Sequence, residues 1–362
     1  MHISSCLSTA SYISFSPRSL SFSSPKRRNR LLPMSLCLRI AVVGDVHDDW
    51  DRRDDAKALH FLQPDLVLFT GDFGNENVEV VRSIANLKMP KAAILGNHDC
   101  WYTHQFSEKR KNRVQLQLEC LGEEHVGYCR LDFPILKLSI VGGRPFSCGG
   151  DKIFRGRLLS ERYGVCDMEG SAKKIYEAAL GTPEGYSVIF LAHNGPTGLG
   201  CKVNDICGRD WVFEGGDHGD PDLAQSISDL KKNTKLPIPL VVFGHMHKEL
   251  AYRIGLRKMV VVGSDDTIYV NGAVVPRVKC SVSEEGTSGG GFVREEILHA
   301  DVSRGTLRAF TVIDIMDGRV EKITECWVAV SSETATLQEE HILFENGHDK
   351  KSNSESSSCS YT

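Results

Sequence analysis

From Leu38 onward the sequence predicts an α/β fold, and three observations carry that prediction. Short apolar runs recur along the chain, helical patterns separate them, and five of the runs lead within two residues to Asp, Asn or His. The runs are LRIAVV (38–43), DLVLFT (65–70), KAAIL (91–95), LKLSIV (136–141), SVIFLA (187–192), PLVVF (239–243) and KMVVV (258–262). Continuous apolar stretches of this length are the pattern of strands buried on both faces. Between them Ala172, Ile175, Tyr176 and Ala179 repeat at helical spacing. Leu223, Ile227 and Leu230 do the same behind Asp220 as an N-cap and Pro221 at the first helical position. Alternating strand and helix give an α/β core. Farther on, LRAFTVIDI (307–315) and RVEKITECWVAV (319–330) flank Asp317-Gly318, which predicts an antiparallel hairpin. SVSEEGTSGGG (281–291) has linker composition. The stretch 331–362, ending in KKSNSESSSCSYT, offers little to bury and is expected to be a mobile tail.

Composition narrows the class. With 362 residues, 41% hydrophobic and 25% charged, the chain is neither collagen-like nor wholly disordered. No run approaches the ~18 consecutive apolar residues of a membrane span. Charge is uneven: no Asp or Glu precedes Asp45, while residues 1–36 hold eleven serines and five basic residues (Arg18, Lys26, Arg27, Arg28 and Arg30). Ser and Pro interrupt any apolar core that a secretory signal would need. The composition is that of an organellar transit peptide. Serine in excess over arginine, with no basic amphipathic helix, points to the plastid stroma first and the mitochondrion second. The twelve cysteines form no C-x-x-C pair, which fits a reduced compartment. Cys201 and Cys207 are close enough in sequence to form a redox pair. Residues 37–330 then form the functional domain.

The segments at the strand ends carry the chemistry. They are Gly44-Asp45-Val46-His47, Gly71-Asp72-Phe73-Gly74-Asn75, Gly96-Asn97-His98-Asp99, His193-Asn194-Gly195-Pro196 and Gly244-His245-Met246-His247. Each alone is an ordinary turn. In open α/β sheets, however, the carboxyl ends of the strands line the ligand crevice, so five such segments are placed to converge. Mixed imidazole, carboxylate and amide donors without thiolate suit first-row metals such as Mn, Fe or Zn, and disfavour a structural zinc site. The set resembles the five-block pattern of the calcineurin-like metallophosphoesterase superfamily: G-D-x-H, G-D, G-N-H-[D/E], H and G-H-x-H.

That resemblance covers roughly 38–270. It implies a four-layer α/β/β/α sandwich of two mixed β-sheets and two divalent or mixed-valence metal ions. Carried over residue by residue, it gives Asp45, His47 and His247 to one ion and Asn97, His193 and His245 to the other, with Asp72 bridging. It gives His98 the role of general acid, suited to an imidazole titrating near neutrality. Two such ions outweigh the two carboxylates and a bridging hydroxide, so the centre attracts phosphate. That hydroxide is the implied nucleophile. The expected activity is hydrolysis of a small phosphoester or nucleotide; a non-catalytic metal-binding scaffold is the alternative.

Departures from the superfamily's protein Ser/Thr phosphatases are informative. Those read G-D-x-H-G, G-D-x-x-D-R-G and G-N-H-E, where this chain has GDVHD, GDFGNE and GNHD. The phosphate-clamping Arg of the second block is missing. Arg144, in GGRPFS, is the first candidate replacement, ahead of Arg155, Arg157 and Arg162 in the following loop, since a guanidinium grips phosphate bidentately. Loops at the catalytic edge usually set substrate choice. In the Gly-rich loop 194–219, Trp211 could stack on a base or sugar, or anchor the loop. With no basic, aromatic-interleaved patch and an acidic mature chain, a nucleic-acid duplex is a poor substrate.

Overall fold

The computed structural model describes residues 37–107, 109–253, 255–280 and 305–347. The expected transit peptide (1–36), the linker (281–291) and the end of the tail (348–362) lie outside the described residues. In chain order the elements are β1 Cys37–Val43, α1 Arg52–Leu62, β2 Leu66–Phe69, α2 Val78–Ala85, β3 Lys91–Ala93, α3 Arg113–Leu121, β4 Arg130–Phe133 and β5 Leu138–Gly142. After them come α4 Gly156–Tyr163, α5 Met168–Leu180, β6 Ser187–Leu191, α6 Pro221–Asn233, β7 Leu240–Phe243, β8 Val260–Val262, β9 Ile268–Asn271, β10 Val278–Cys280, β11 Thr306–Met316, β12 Arg319–Val330 and β13 Ala335–Glu345. No helix among them is long and apolar enough to cross a membrane.

Two mixed sheets result. One runs β13-β12-β11-β1-β2-β3, with β10 also paired to β11; the other runs β4-β5-β6-β7-β9-β8. β1, β2 and β3 are parallel, as are β5, β6, β7 and β9, so the segments after these strands emerge at the same sheet edges. Alternation along each buried strand separates the layers. Ile40, Val42, Leu66 and Leu68 from the first sheet meet Ile140, Ile189, Leu191 and Val242 from the second in an apolar core between the sheets. The opposite set, Ala41, Val43, Val67, Phe69, Phe190 and Val241, packs under Ala58 and Leu59 of α1, Ile175 of α5 and Leu223 of α6. The four layers expected from the resemblance are therefore present.

Local chemistry explains most element ends. Asp51 caps α1 by accepting from the Arg53 and Asp54 N–H groups, and Asn112 with Gln115 forms a capping box on α3. Asp317 and Gly318 both adopt positive φ, as a two-residue hairpin turn requires. Two expectations fail. Asp220 occupies the N-cap position of α6 but makes no side-chain cap, because its carboxylate is drawn to Arg144 and Ser147. Residues 335–345, expected in a mobile tail, form edge strand β13 on β12. Leu337 and Ile342 there remain exposed, so the strand is held by its backbone ladder and by pairs such as Lys322–Glu340 at 2.7 Å. A sequence pattern that reports burial does not register it.

One buried ion network joins helix to sheet. Asp55 of α1, with a wholly buried side chain, accepts from Arg277 at 2.7 Å and Arg308 at 2.5 Å. Removing one partner of a buried charge group leaves the others uncompensated. Asp55→Asn is accordingly expected to destabilise the fold by roughly 3 to 5 kcal/mol, read from urea unfolding monitored by circular dichroism. An unchanged midpoint would contradict this account.

Candidate metal centre

All seven sequence-predicted ligand residues and His98 come together at the carboxyl ends of β1, β2 and β3 on one sheet and of β6 and β7 on the other. Short backbone bonds lock the loops to one another. His47 N donates to Asp72 O at 2.7 Å, and Gly244 N donates to His193 O at 2.8 Å. Asp45 Oδ1 and Oδ2 accept from the His245 backbone N–H at 3.0 and 2.9 Å, while Thr70 Oγ1 donates to Oδ1 at 3.2 Å. Steric fit explains two of the block glycines. A Cβ on Gly96 would lie 2.3 Å from Asp72 Oδ1, and one on Gly244 would lie 2.2 Å from Asp45 Oδ1. His47, Asp72 and His245 all hold positive φ, at 44°, 49° and 66°. Left-handed backbone at a non-glycine residue costs about 1 to 3 kcal/mol and persists where the surroundings enforce it, characteristically at ligand sites.

The donor atoms form overlapping triads: Asp45, His47 and His247; His47, Asp72 and His98; Asp72, His193 and His245. Within each, donors lie within 4.8 Å of one another. Asp72 stands between the groups, with Oδ2 3.9 Å from His47 Nε2 and Oδ1 3.3 Å from His193 Nε2. Asn97 Oδ1 lies 2.9 Å from His193 Nε2. Asp45, Asp72 and His193 make a buried floor, and His47, His98 and His247 form a rim whose side chains are 24%, 30% and 40% exposed.

The chemistry of this set fits cations. His47 Nε2 and His247 Nε2 face each other at 3.1 Å. Two bare lone pairs at that distance repel unless a proton or a metal lies between them. His193 Nδ1 donates to Thr70 O at 2.7 Å, which directs Nε2 at Asn97 and Asp72. Burial opposes charge on His193, but Asp72 and Asp45 outweigh it and raise its pKa to about 10. Burial likewise opposes ionisation of Asp45, yet His247, His193 and His47 hold the carboxyl far below its ordinary range. His245 is pushed down to about 3 by burial and then by the charge on His193. A cation at Nε2 of His193 would replace a proton already held between the same acceptors.

His98 is set apart from the floor. Its Nδ1 lies 2.7 Å from Asn75 Oδ1, its ring stacks on Trp101 at 4.6 Å and 10°, and Nε2 points toward Asp72 Oδ2 at 4.0 Å. Burial lowers its pKa against the opposing pull of Asp72. A phosphate anion next to Nε2 would counter that shift.

Several supporting contacts are not legible from sequence. Those of Asp99 are the chief ones: its buried carboxylate accepts from the N–H groups of Asp72 at 2.9 Å, Phe73 at 2.9 Å and Gly96 at 2.7 Å, tying the second and third loops together. Asn75 and Thr70 lie within or beside the blocks, but nothing in the sequence shows which atoms they face. Arg144 is elsewhere. Its side chain is fully buried, 2.8 Å from Asp220 and 3.0 Å from Asp222, so it does not reach the cluster as a clamp. The guanidinium is drawn to two carboxylates that folding brings under it. Cys201 is exposed, Cys207 is buried, and no disulfide joins them.

Metal uptake at this centre is expected to release protons near pH 7, because His193, titrating at about 10 without metal, must surrender its Nε2 proton. The folded pKa lies above the ordinary value, so protons compete below it and apparent affinity rises with pH until pH passes about 10. Calorimetry in buffers of different ionisation enthalpy reads the released protons; buffer-independent heat would contradict the assignment.

Residues 38–249 match the family model for calcineurin-like phosphoesterases. Among solved structures the chain is similar to the sulfate thiohydrolase SoxB of Thermus thermophilus, in complex with glycerol, with 15% identity and a TM-score of 0.37 over 81% of this chain and 44% of that one. It is also similar to a conserved uncharacterized protein of Streptococcus pneumoniae, described as a predicted phosphoesterase. There the identity is 9% and the TM-score 0.30 over 84% of this chain and 98% of that one. The chain thus spans under half the length of the SoxB chain. No curated protein sequence matches it. With the family match covering more than half of its residues, the chain belongs to the calcineurin-like phosphoesterase family.

Proposed function

We propose that the protein is a dinuclear metal-dependent phosphoester hydrolase acting on a small phosphorylated substrate, with residues 1–36 directing it to the plastid. The observation that carries this reading is the convergence of seven metal-seeking donors on one cleft, with His98 held beside them. Asp45, His47 and His247 would hold one ion, Asn97, His193 and His245 the other, and Asp72 would serve both. When bound, such a pair acidifies water and withdraws charge from a phosphoryl group.

The chain's own residues supply the rest. Thr70 O fixes the His193 tautomer, and Asp99 keeps the Asp72 and Gly96 backbones in register. Asn75 and Trp101 hold His98 with Nε2 turned toward Asp72, where it would donate a proton to the leaving oxygen. With Arg144 buried in its ion pairs and the imidazole rim partly exposed, the cleft has neither a clamp from that residue nor a closed roof. This favours a singly charged phosphodiester or pyrophosphate bond over a monoester dianion.

Protein stripped of metal and reloaded with Mn, Fe or Zn is expected to hydrolyse bis-aryl phosphate faster than aryl phosphate. Asp72→Ala should lose both ions by elemental analysis. His98→Ala should keep them and lose rate by roughly 10² to 10⁴, and the loss should shrink for good leaving groups, which need little protonation. A folded protein that binds metal yet turns over nothing would favour the scaffold reading. Residues 1–36 fused to a fluorescent protein are expected to enter plastids, and a cytosolic signal would remove that part of the proposal.

A further inference from the structure

Beside the metal centre lies a second feature that the catalytic reading does not use. Loop 201–213 and the segment after His247 enclose an open cavity of about 710 Å³ lined by Val203, Trp211, Phe213, Leu250, Tyr252 and Leu256. Four of these are exposed despite their apolar character: Trp211 46%, Phe213 100%, Tyr252 77% and Leu256 59%. Apolar groups gathered on a surface in this way mark a binding face. Asp210, the acidic group in the wall, is already engaged, accepting from Ala251 N at 2.7 Å and from Arg257 at 3.0 Å. Among the described lining residues none is cationic.

One wall residue of the groove is linked to the cluster through ring contacts. Trp211, in its wall, meets His218 edge to face at 4.9 Å, and His218 lies over His245 at 6.3 Å and 26°. Two ring contacts therefore lead from the groove to a candidate ligand. A molecule whose phosphate sits at the centre can lay its organic part along this path, and only an apolar part would gain by leaving water there.

We infer that the groove receives the hydrocarbon portion of the substrate, so that the enzyme acts on phosphoesters of apolar alcohols. The inference rests on the hydrolase reading above and narrows its substrate class. Trp211, Phe213 and Leu256 are then specificity residues, touching the organic group and taking no part in the reaction.

Calorimetric titration of the Mn-loaded full chain with methyl-, octyl- and dodecylphosphonate, each below its micellar concentration, tests this without turnover. Each methylene buried contributes up to about fourfold in affinity, so dodecylphosphonate is expected to bind at least about tenfold more tightly than methylphosphonate. Phe213→Ser and Leu256→Ser, both on the surface, should abolish that gain and leave methylphosphonate affinity unchanged. That second value also reports intact folding and an intact centre. Equal affinity along the series, or a gain untouched by both substitutions, would overturn the inference while leaving phosphate binding in place. Failure to bind any member would overturn both readings. Chain-length dependence that survives metal removal would mark simple surfactant adsorption and overturn it too. So would a dimer, seen by sedimentation, that Phe213→Ser dissociates, since the groove would then be covered by a second copy.

Discussion

Buried carboxylates and imidazoles that favour a cation between them do not gather unaided. At this centre Asp45 and Asp72 are taken out of water beside five imidazoles, and three of the residues involved hold a left-handed backbone. The surrounding structure is arranged to impose this. Asp99 draws three N–H groups from two loops onto one buried carboxylate, and the His245 N–H and Thr70 hydroxyl position Asp45. Glycines at positions 96 and 244 let backbone approach where any Cβ would collide with a carboxylate oxygen. The apolar core between the sheets and the helices outside them supply the stability against which this strain is held.

The same principle appears away from the cleft with a different outcome. Arg144 pairs with Asp220 and Asp222, and Arg277 and Arg308 pair with Asp55, all with side chains almost wholly buried. In each case a guanidinium that could bind phosphate on a surface instead joins elements across the core. Desolvated charges of this kind are sensitive to loss of a partner and do little for the total stability as pairs. Their consequence for function is indirect: the cleft does not receive Arg144.

In the proposed hydrolase, substrate selection would fall to the loops above the sheets. Loop 194–219 begins at candidate ligand His193 and returns through His218, which lies over His245. It also carries Trp211 and Phe213 outward into the groove. One loop therefore reaches both a candidate ligand and the groove.

The α/β class, the strands that lead into the five blocks, helices α5 and α6, the hairpin at Asp317-Gly318 and the donor types at the centre are all legible in the bare chain. Each depends on residues adjacent in sequence: apolar runs, helical spacing, a turn dipeptide, a short block after a strand. Strands β4, β9 and β10 escape such a reading because their residues, RLDF, IYVN and VKC, hold no apolar run longer than three. β13 escapes it because its side chains stay largely exposed and its stability comes from a partner strand. Folding in three dimensions settled the fate of Arg144 and Asp220, the two carboxyl oxygens of Asp72 facing different imidazoles, and the Asn75 and Trp101 contacts that hold His98. A residue's type announces what it can bind, but only packing across distant segments decides which partner it meets and whether water still reaches it.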